Sequence, residues 1–79
     1  MKKEEMIFTC EIGVAASELT TREILELINE FESVGIEVVN REMGLYNGDE
    51  DWELKGPLEV LEKTLTSLGW DVSTIEFED

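Results

Sequence analysis

The amino-acid sequence predicts an α+β domain in which two helices cover one face of a four-stranded antiparallel sheet, in the order β-α-β-β-α-β. Apolar residues alternate with period two in some segments and recur at helical spacing in others. Turn and capping residues separate these segments. The stretch "SVGIEVV", Ser33 to Val39, also returns in altered form as "SLGWDVS", Ser67 to Ser73. The chain therefore contains the same structural unit twice.

The first unit begins with a strand at residues 6–14, because apolar and polar side chains alternate through "MIFTCEIGV". Thr20 and Glu23 have the spacing of a capping box, which predicts that a helix begins there. Gly35 is the expected residue just after the end of this helix. The apolar positions that recur at helical spacing are Ile24, Leu27, Ile28, Phe31 and Val34.

The second unit follows a predicted strand at 36–43 and a hairpin loop that contains Asn47 and Gly48. A short strand at 52–55 comes next, and Pro57 suits the first position of the second helix. Gly69 ends that helix, and residues 70–78 are predicted to be the last strand. Their alternation slips between Val72 and Ile75, which indicates a bulge or a late strand start. The apolar stripe of the second helix is Leu58, Leu61, Leu65 and Leu68.

The two units align residue by residue at the repeat offset: Ile24 corresponds to Leu58, Phe31 to Leu65 and Gly35 to Gly69. Two such units joined by a hairpin resemble the ferredoxin-like two-layer sandwich. We expect a disordered N-terminus at residues 1–5 and a single ferredoxin-like domain at 6–79. This fold carries many unrelated functions, so the resemblance does not imply one.

Cysteine and histidine content excludes several kinds of protein. Cys10 is the single cysteine and histidine is absent, which rules out an intrachain disulfide and a Cys/His zinc site. No apolar run reaches the roughly 18 residues of a membrane helix. The basic and apolar N-terminus superficially resembles a secretion signal, but Glu4, Glu5 and Glu11 interrupt it. We expect a cytoplasmic protein in which Cys10 is a reduced core residue.

The net charge is the feature of the sequence that bears on function. Six Lys and Arg residues face twenty Asp and Glu residues, for a net charge of −14. Such a field repels nucleic acids and anionic membranes, and it attracts basic surfaces. We therefore expect a basic protein surface as the partner, with no direct binding of nucleic acid and no membrane association.

Catalytic and cofactor motifs are missing from the sequence. It contains no nucleophile elbow, no phosphate-binding loop and no histidine. We expect a non-enzymatic protein without catalytic residues, cofactor or metal. The acidic loop of Asp49, Glu50, Asp51 and Glu53 departs from the EF-hand pattern because Gly48 precedes the acids. Weak calcium binding at this loop is left as an alternative.

The residues expected to contact a partner lie on the first helix and around the hairpin. Tyr46 is a candidate because loops often carry function, and Trp52 is either a core residue or an interface anchor. The complete set is Glu23, Glu26, Glu30, Tyr46, Asp49, Glu50, Asp51 and Trp52.

In size, charge and lack of catalytic motifs, the chain is similar to phage-encoded inhibitors of CRISPR nucleases, restriction enzymes and DNA repair enzymes. That similarity implies an acidic protein that mimics nucleic acid and competes for the basic cleft of a nucleic-acid-binding protein. Its carboxylates would pair with Lys and Arg of the partner, and binding would weaken as the salt concentration rises.

A second hypothesis is a small regulatory or structural domain that forms a homodimer. The sheet face without helices is predicted to carry Ile7, Thr9, Glu11, Val39 and Arg41, with Met43 nearby. Apolar residues on an uncovered sheet face favour self-association. In that case the acidity would serve solubility alone.

Overall fold

The computed structural model describes residues 6–43 and 48–79, which form a three-stranded antiparallel sheet and two α-helices. The central strand of this sheet, β3 (Glu50–Pro57), lies between β1 (Ile7–Val14) and β2 (Glu37–Met43). No described helix is both long and apolar enough to cross a membrane. The elements are β1 (Ile7–Val14), α1 (Thr21–Ser33), β2 (Glu37–Met43), β3 (Glu50–Pro57) and α2 (Leu58–Leu68), with short 3₁₀ turns at Ala16–Glu18 and Val72–Thr74.

Both helices cover the same face of the sheet, as predicted. The alternation in β1 turns its even-numbered side chains toward the helices, and the even-numbered residues of β3 do the same. Phe31 of α1 and Leu61 and Leu65 of α2 belong to one buried cluster with them. The buried residues of this core are Cys10, Ile12, Val14, Phe31, Ile36, Trp52, Leu54, Leu61 and Leu65. The α+β class is therefore confirmed.

The sequence repeat arises because α1 and α2 end in the same way, each with the same backbone hydrogen bonds around a glycine. The N–H of Ile36 donates to the C=O of Phe31 at 2.9 Å, and the N–H of Trp70 donates to the C=O of Leu65 at the same distance. Gly35 and Gly69 adopt positive φ angles of 93° and 106° between these partners. Each copy is thus a Schellman motif, in which a left-handed glycine reverses the chain and satisfies the last helical carbonyls.

The predicted four-stranded sheet is wrong, because residues 70–78 do not form a strand. The side chain of Asp71 accepts hydrogen bonds from the backbone N–H and the hydroxyl of Ser73, at 3.1 and 2.7 Å. These bonds favour the 3₁₀ turn at Val72–Thr74 over extended pairing. The backbone of this segment pairs with β1 at one isolated bridge, between Thr9 and Glu78.

Three smaller predictions also need correction. Strand β3 is longer than residues 52–55 at both ends. Pro57 occupies the N-cap position of α2 without a side-chain capping hydrogen bond, and Leu58 is the first helical residue. A register shift between Val38 and Asn40 marks a bulge in β2. The extra residue places Arg41 opposite Trp52, on the helix-covered face and not on the open face.

Gly48, which precedes β3, contacts the first 3₁₀ turn at Ser17. The N–H of Ser17 donates to the C=O of Gly48 at 2.6 Å, and Gly48 has a φ of 83°. A Cβ atom at this position would overlap the side chain of Ser17. Residues 1–5, expected to be disordered, and Asn47 of the predicted turn lie outside the described residues.

Replacing Gly48 by alanine should lower the free energy of unfolding by about 2 kcal/mol, because it combines a left-handed backbone with a steric overlap. The matched control is Gly13→Ala, since a Cβ there meets nothing within 4 Å and the backbone is extended. Urea denaturation of both variants measures the difference. Equal stability of the two would contradict the close approach of Gly48 to Ser17.

Candidate protein-interaction surface

The face of the sheet opposite the helices is acidic. We call it the open face, and it consists of the odd-numbered residues of β1 and β3 together with Glu37, Asn40 and Glu42 of β2. Lys55 is the one cation on it within the described chain. Its acids number five: Glu11, Glu37, Glu42, Asp51 and Glu53.

Strand register places like charges directly opposite each other on the open face. Glu11 is paired with Glu53 across β1 and β3, and Glu42 is paired with Asp51 across β2 and β3. Side chains in directly opposed positions lie about 4.5–5.5 Å apart at Cβ, and like charges there are destabilising. Among the described residues the single ion pair is Arg41 with Glu50, so none of these four carboxylates is neutralised within the fold.

On the other side of the sheet, Arg41, Glu50 and Trp52 form a connected polar group at the edge of the core. The indole Nε1–H of Trp52 donates to Glu50 Oε1 at 2.8 Å, and Arg41 donates to the same oxygen through Nη2 at 3.0 Å and Nε at 3.2 Å. The guanidinium also lies 5.0 Å from the centre of the Trp52 ring. This geometry joins a charge-assisted hydrogen bond to a cation–π contact.

These contacts lower the pKa of the Glu50 carboxyl from its ordinary value of 4.5. The hydrogen bond from Trp52 is the main cause, and Arg41 adds to it by a hydrogen bond and by its charge, while partial burial acts in the opposite direction. The carboxylate of Glu50 is therefore engaged inside the fold and is not free for a partner.

The structure separates the residues that we expected to form one partner-binding surface. Glu26 and Glu30 are exposed on α1, in the layer away from the open face. Glu23 lies on the same helix, where its side chain accepts from the Thr20 N–H at 2.9 Å and completes the predicted capping box. Asp51 projects from the open face, because it is an odd-numbered residue of β3.

The remaining members of the predicted set occupy other environments. Trp52 is fully buried and makes an edge-to-face contact with Phe31 at 6.4 Å between ring centres, so a partner cannot reach it in the folded domain. Asp49 is half-buried beside the start of β3. Tyr46 lies outside the described residues. Of the members of the predicted set that the structure describes, Asp51 alone belongs to the open face.

Sequence reasoning missed most of the open-face acids as a group. The alternation of β1 already places Glu11 on the uncovered side. Glu37, Glu42 and Glu53 join it through the pairing register and the bulge in β2, which depend on tertiary contacts. Placing the start of β3 at Glu50 would have grouped two of these acids, since alternation from that residue directs Asp51 and Glu53 to the same side of the sheet.

The acidic loop does not form a calcium cage within the described chain. Glu50 faces the helices while Asp51 and Glu53 face the opposite side, because successive strand residues point in opposite directions. No group of three or more His, Cys, Asp or Glu among residues 6–43 and 48–79 is arranged to hold a metal. We do not carry the calcium alternative forward.

Comparison of the chain with protein-family models, with curated proteins and with solved structures finds no match.

Replacing Glu53 by lysine should raise the free energy of unfolding by about 0.5–1 kcal/mol at low salt, because the residue opposite Glu11 then has the opposite charge. Glu62→Lys on the exposed side of α2 changes the net charge equally and serves as the control. Thermal unfolding in 20 mM and 1 M NaCl separates local from general repulsion. The advantage of the Glu53 variant should shrink at high salt, since screening shortens to about 3 Å. Equal gains for both variants would contradict the paired-charge geometry.

Replacing Glu50 by glutamine should lower the free energy of unfolding at pH 7 by about 1–2 kcal/mol, because charge-assisted hydrogen bonds become neutral ones. The lowered folded-state pKa means that the carboxylate stabilises the protein above its unfolded-state pKa. This contribution is lost as the pH falls through the folded-state pKa. The difference between the parent protein and the variant should therefore be largest near neutral pH and shrink below about pH 4. Denaturation curves at a series of pH values test it, with Glu59→Gln as a control. A difference independent of pH would refute the assignment.

Proposed function

We propose that the protein is a non-enzymatic interaction module that binds a basic surface of a partner protein through its open face. The observation that carries this proposal is the pair of uncompensated like-charge contacts, Glu11 with Glu53 and Glu42 with Asp51. The fold tolerates their repulsion, and a partner that supplies Lys or Arg would relieve it. Binding free energy then includes the release of a repulsion that is already present in the free protein.

The rigidity of the sheet supports this proposal. The opposed pairs span all three strands, and the backbone ladder holds their spacing without help from the side chains. A nucleic acid also presents regularly spaced negative charge on a stiff frame. We therefore infer that the partner is a nucleic-acid-binding protein, and that this module inhibits it by occupying its basic cleft. Acids on α1, including Glu26 and Glu30, add to the long-range attraction.

Self-association through the open face is less favourable on the same evidence. Ile7 on the open face and Val39, the extra residue of the bulge in β2, are each 46% exposed and supply some apolar surface. Stacking two such faces, however, would bring ten carboxylates together against two lysines, twice the five acids and one lysine of each copy. The homodimer hypothesis stays a prediction, and high salt is the condition that favours it.

We also infer that the protein acts in the cytoplasm. Cys10 is buried, and burial raises the pKa of its thiol to about 11, so the reactive thiolate is disfavoured. A single protected thiol of this kind suits a reducing compartment.

The test is binding to protamine, an arginine-rich DNA-binding protein, measured by isothermal titration calorimetry in a salt series. The Glu11→Gln/Glu53→Gln variant should bind at least fivefold more weakly than Glu59→Gln/Glu62→Gln, which removes the same charge from α2. Double-stranded DNA should compete with the protein for protamine. The same pairs of variants should then be compared in a pull-down from lysate eluted with salt. Equal affinities for both variants would mean that net charge alone drives binding, and the open face would lose its role.

A further inference from the structure

A groove runs along the outer edge of β1, between that strand and the C-terminal segment of residues 70–78. The segment is attached to β1 at two points. Thr9 and Glu78 exchange backbone hydrogen bonds of 2.6 and 2.8 Å, and the indole N–H of Trp70 donates to the C=O of Gly13 at 3.2 Å. Between these points the 3₁₀ turn at Val72–Thr74 carries the chain away from the strand, which leaves a cavity of about 670 Å³.

The groove exposes unpaired backbone groups of β1. Residues two apart in a strand direct their N–H and C=O groups to the same edge. Thr9 and Gly13 both bond to the C-terminal segment, so Glu11 between them presents its N–H and C=O to the groove. Gly13 presents its N–H there as well. Neither residue's N–H, nor the C=O of Glu11, has a backbone partner on this edge among the described residues.

The side chains around these groups have one sign of charge. Glu11, Glu53, Glu76 and Glu78 line the groove, and none of the Lys and Arg residues that the structure describes does so. Trp70 and Ile75 supply the apolar part of the lining. The cavity volume is within the range of natural ligand-binding pockets. The groove therefore combines an open strand edge, acidic walls and a small apolar patch.

We propose that this groove receives an extended segment of the basic partner, which adds to β1 as a short strand. A backbone of this shape would pair with the N–H and C=O of Glu11 and the N–H of Gly13, as in β-strand addition. The residue opposite Glu11 has its side chain on the open face, where a Lys or Arg meets Glu11 and Glu53. The next residue points the other way, toward Ile75 and Trp70. The segment that fits therefore alternates basic and apolar residues.

This inference rests on the proposed function, since both assign a basic protein as partner, and it adds how that partner is held. Charge attraction alone requires no particular backbone conformation. Strand addition requires an extended segment with free amide groups. The two claims can therefore be separated by a change that leaves every charge in place.

The probe, called the valine peptide, is Lys-Val-Lys-Val-Lys-Val-Lys, acetylated and amidated, and it is compared with a peptide of the same sequence and charge in which every backbone amide is N-methylated. The valine peptide should bind the protein about tenfold more tightly by calorimetry, because the methylated backbone has no N–H for strand pairing in either strand direction. Equal affinities would overturn strand addition and leave charge-driven binding intact. If neither peptide nor protamine binds, the proposed function fails as well.

The matched protein variants are Gly13→Pro and Gly13→Ala. The N–H of Gly13 faces outward from an edge strand, where proline is tolerated, and its loss removes one donor from the groove without changing a charge. Gly13→Pro should weaken binding of the valine peptide about tenfold, the equivalent of roughly one hydrogen bond. Gly13→Ala keeps the N–H and should therefore bind the valine peptide more tightly than Gly13→Pro does. Binding unchanged in both variants would overturn the proposal.

Amide hydrogen exchange on the unmodified protein provides a second test that does not depend on how Gly13→Pro folds. The valine peptide should slow exchange at the amides of Glu11 and Gly13 at least fivefold. Protection that appears instead along β2, the other edge of the sheet, would place the peptide elsewhere and refute the groove. Slowed exchange in the absence of peptide, at rising protein concentration, would assign the groove to a second copy of this chain and likewise contradict a basic partner.

Discussion

The fold depends on the burial of Trp52 in the central strand. Its ring packs edge-on against Phe31 of α1, lies under the guanidinium of Arg41 from β2, and donates its N–H to Glu50. One side chain thereby links α1 to β2 and to the first residue of β3. Nine residues make up the buried core, so a large aromatic group at its centre supplies a substantial share of the apolar area removed from water.

That small core has to withstand a net charge of −14. The structure keeps almost all of its carboxylates at the surface, and the described residues contain no buried charged side chain. Glu50 accepts the hydrogen bond from the buried Trp52 indole, and among the described residues it is the acid that forms an ion pair with an Arg. The opposed pairs on the open face are different, because they lower stability and no ion pair among the described residues compensates for them. Selection for stability alone would not maintain these pairs.

The ends of the helices could be predicted from the sequence, because each depends on contacts between residues close together in the chain. The capping box at Thr20 and Glu23 and the glycine helix ends at Gly35 and Gly69 follow from side-chain hydrogen bonding and from backbone sterics within a few residues. The fourth strand was predicted from the repeat, and there the two copies diverge. Where the first has Glu37 and Val39, the second has Asp71 and Ser73, whose mutual hydrogen bonds turn the chain before it can pair. The open face depends on register and on the bulge in β2, which periodicity within one strand does not contain.

The two tryptophans give the molecule a pair of optical reporters in different surroundings. Trp52 is sealed in the core with its indole bonded to a carboxylate, while Trp70 is only partly buried and lines the groove beside β1. Emission from the first follows loss of the whole structure, and emission from the second follows the polarity of the groove. Fluorescence of the unlabelled chain can thus distinguish a molecule that has melted from one whose groove has been filled.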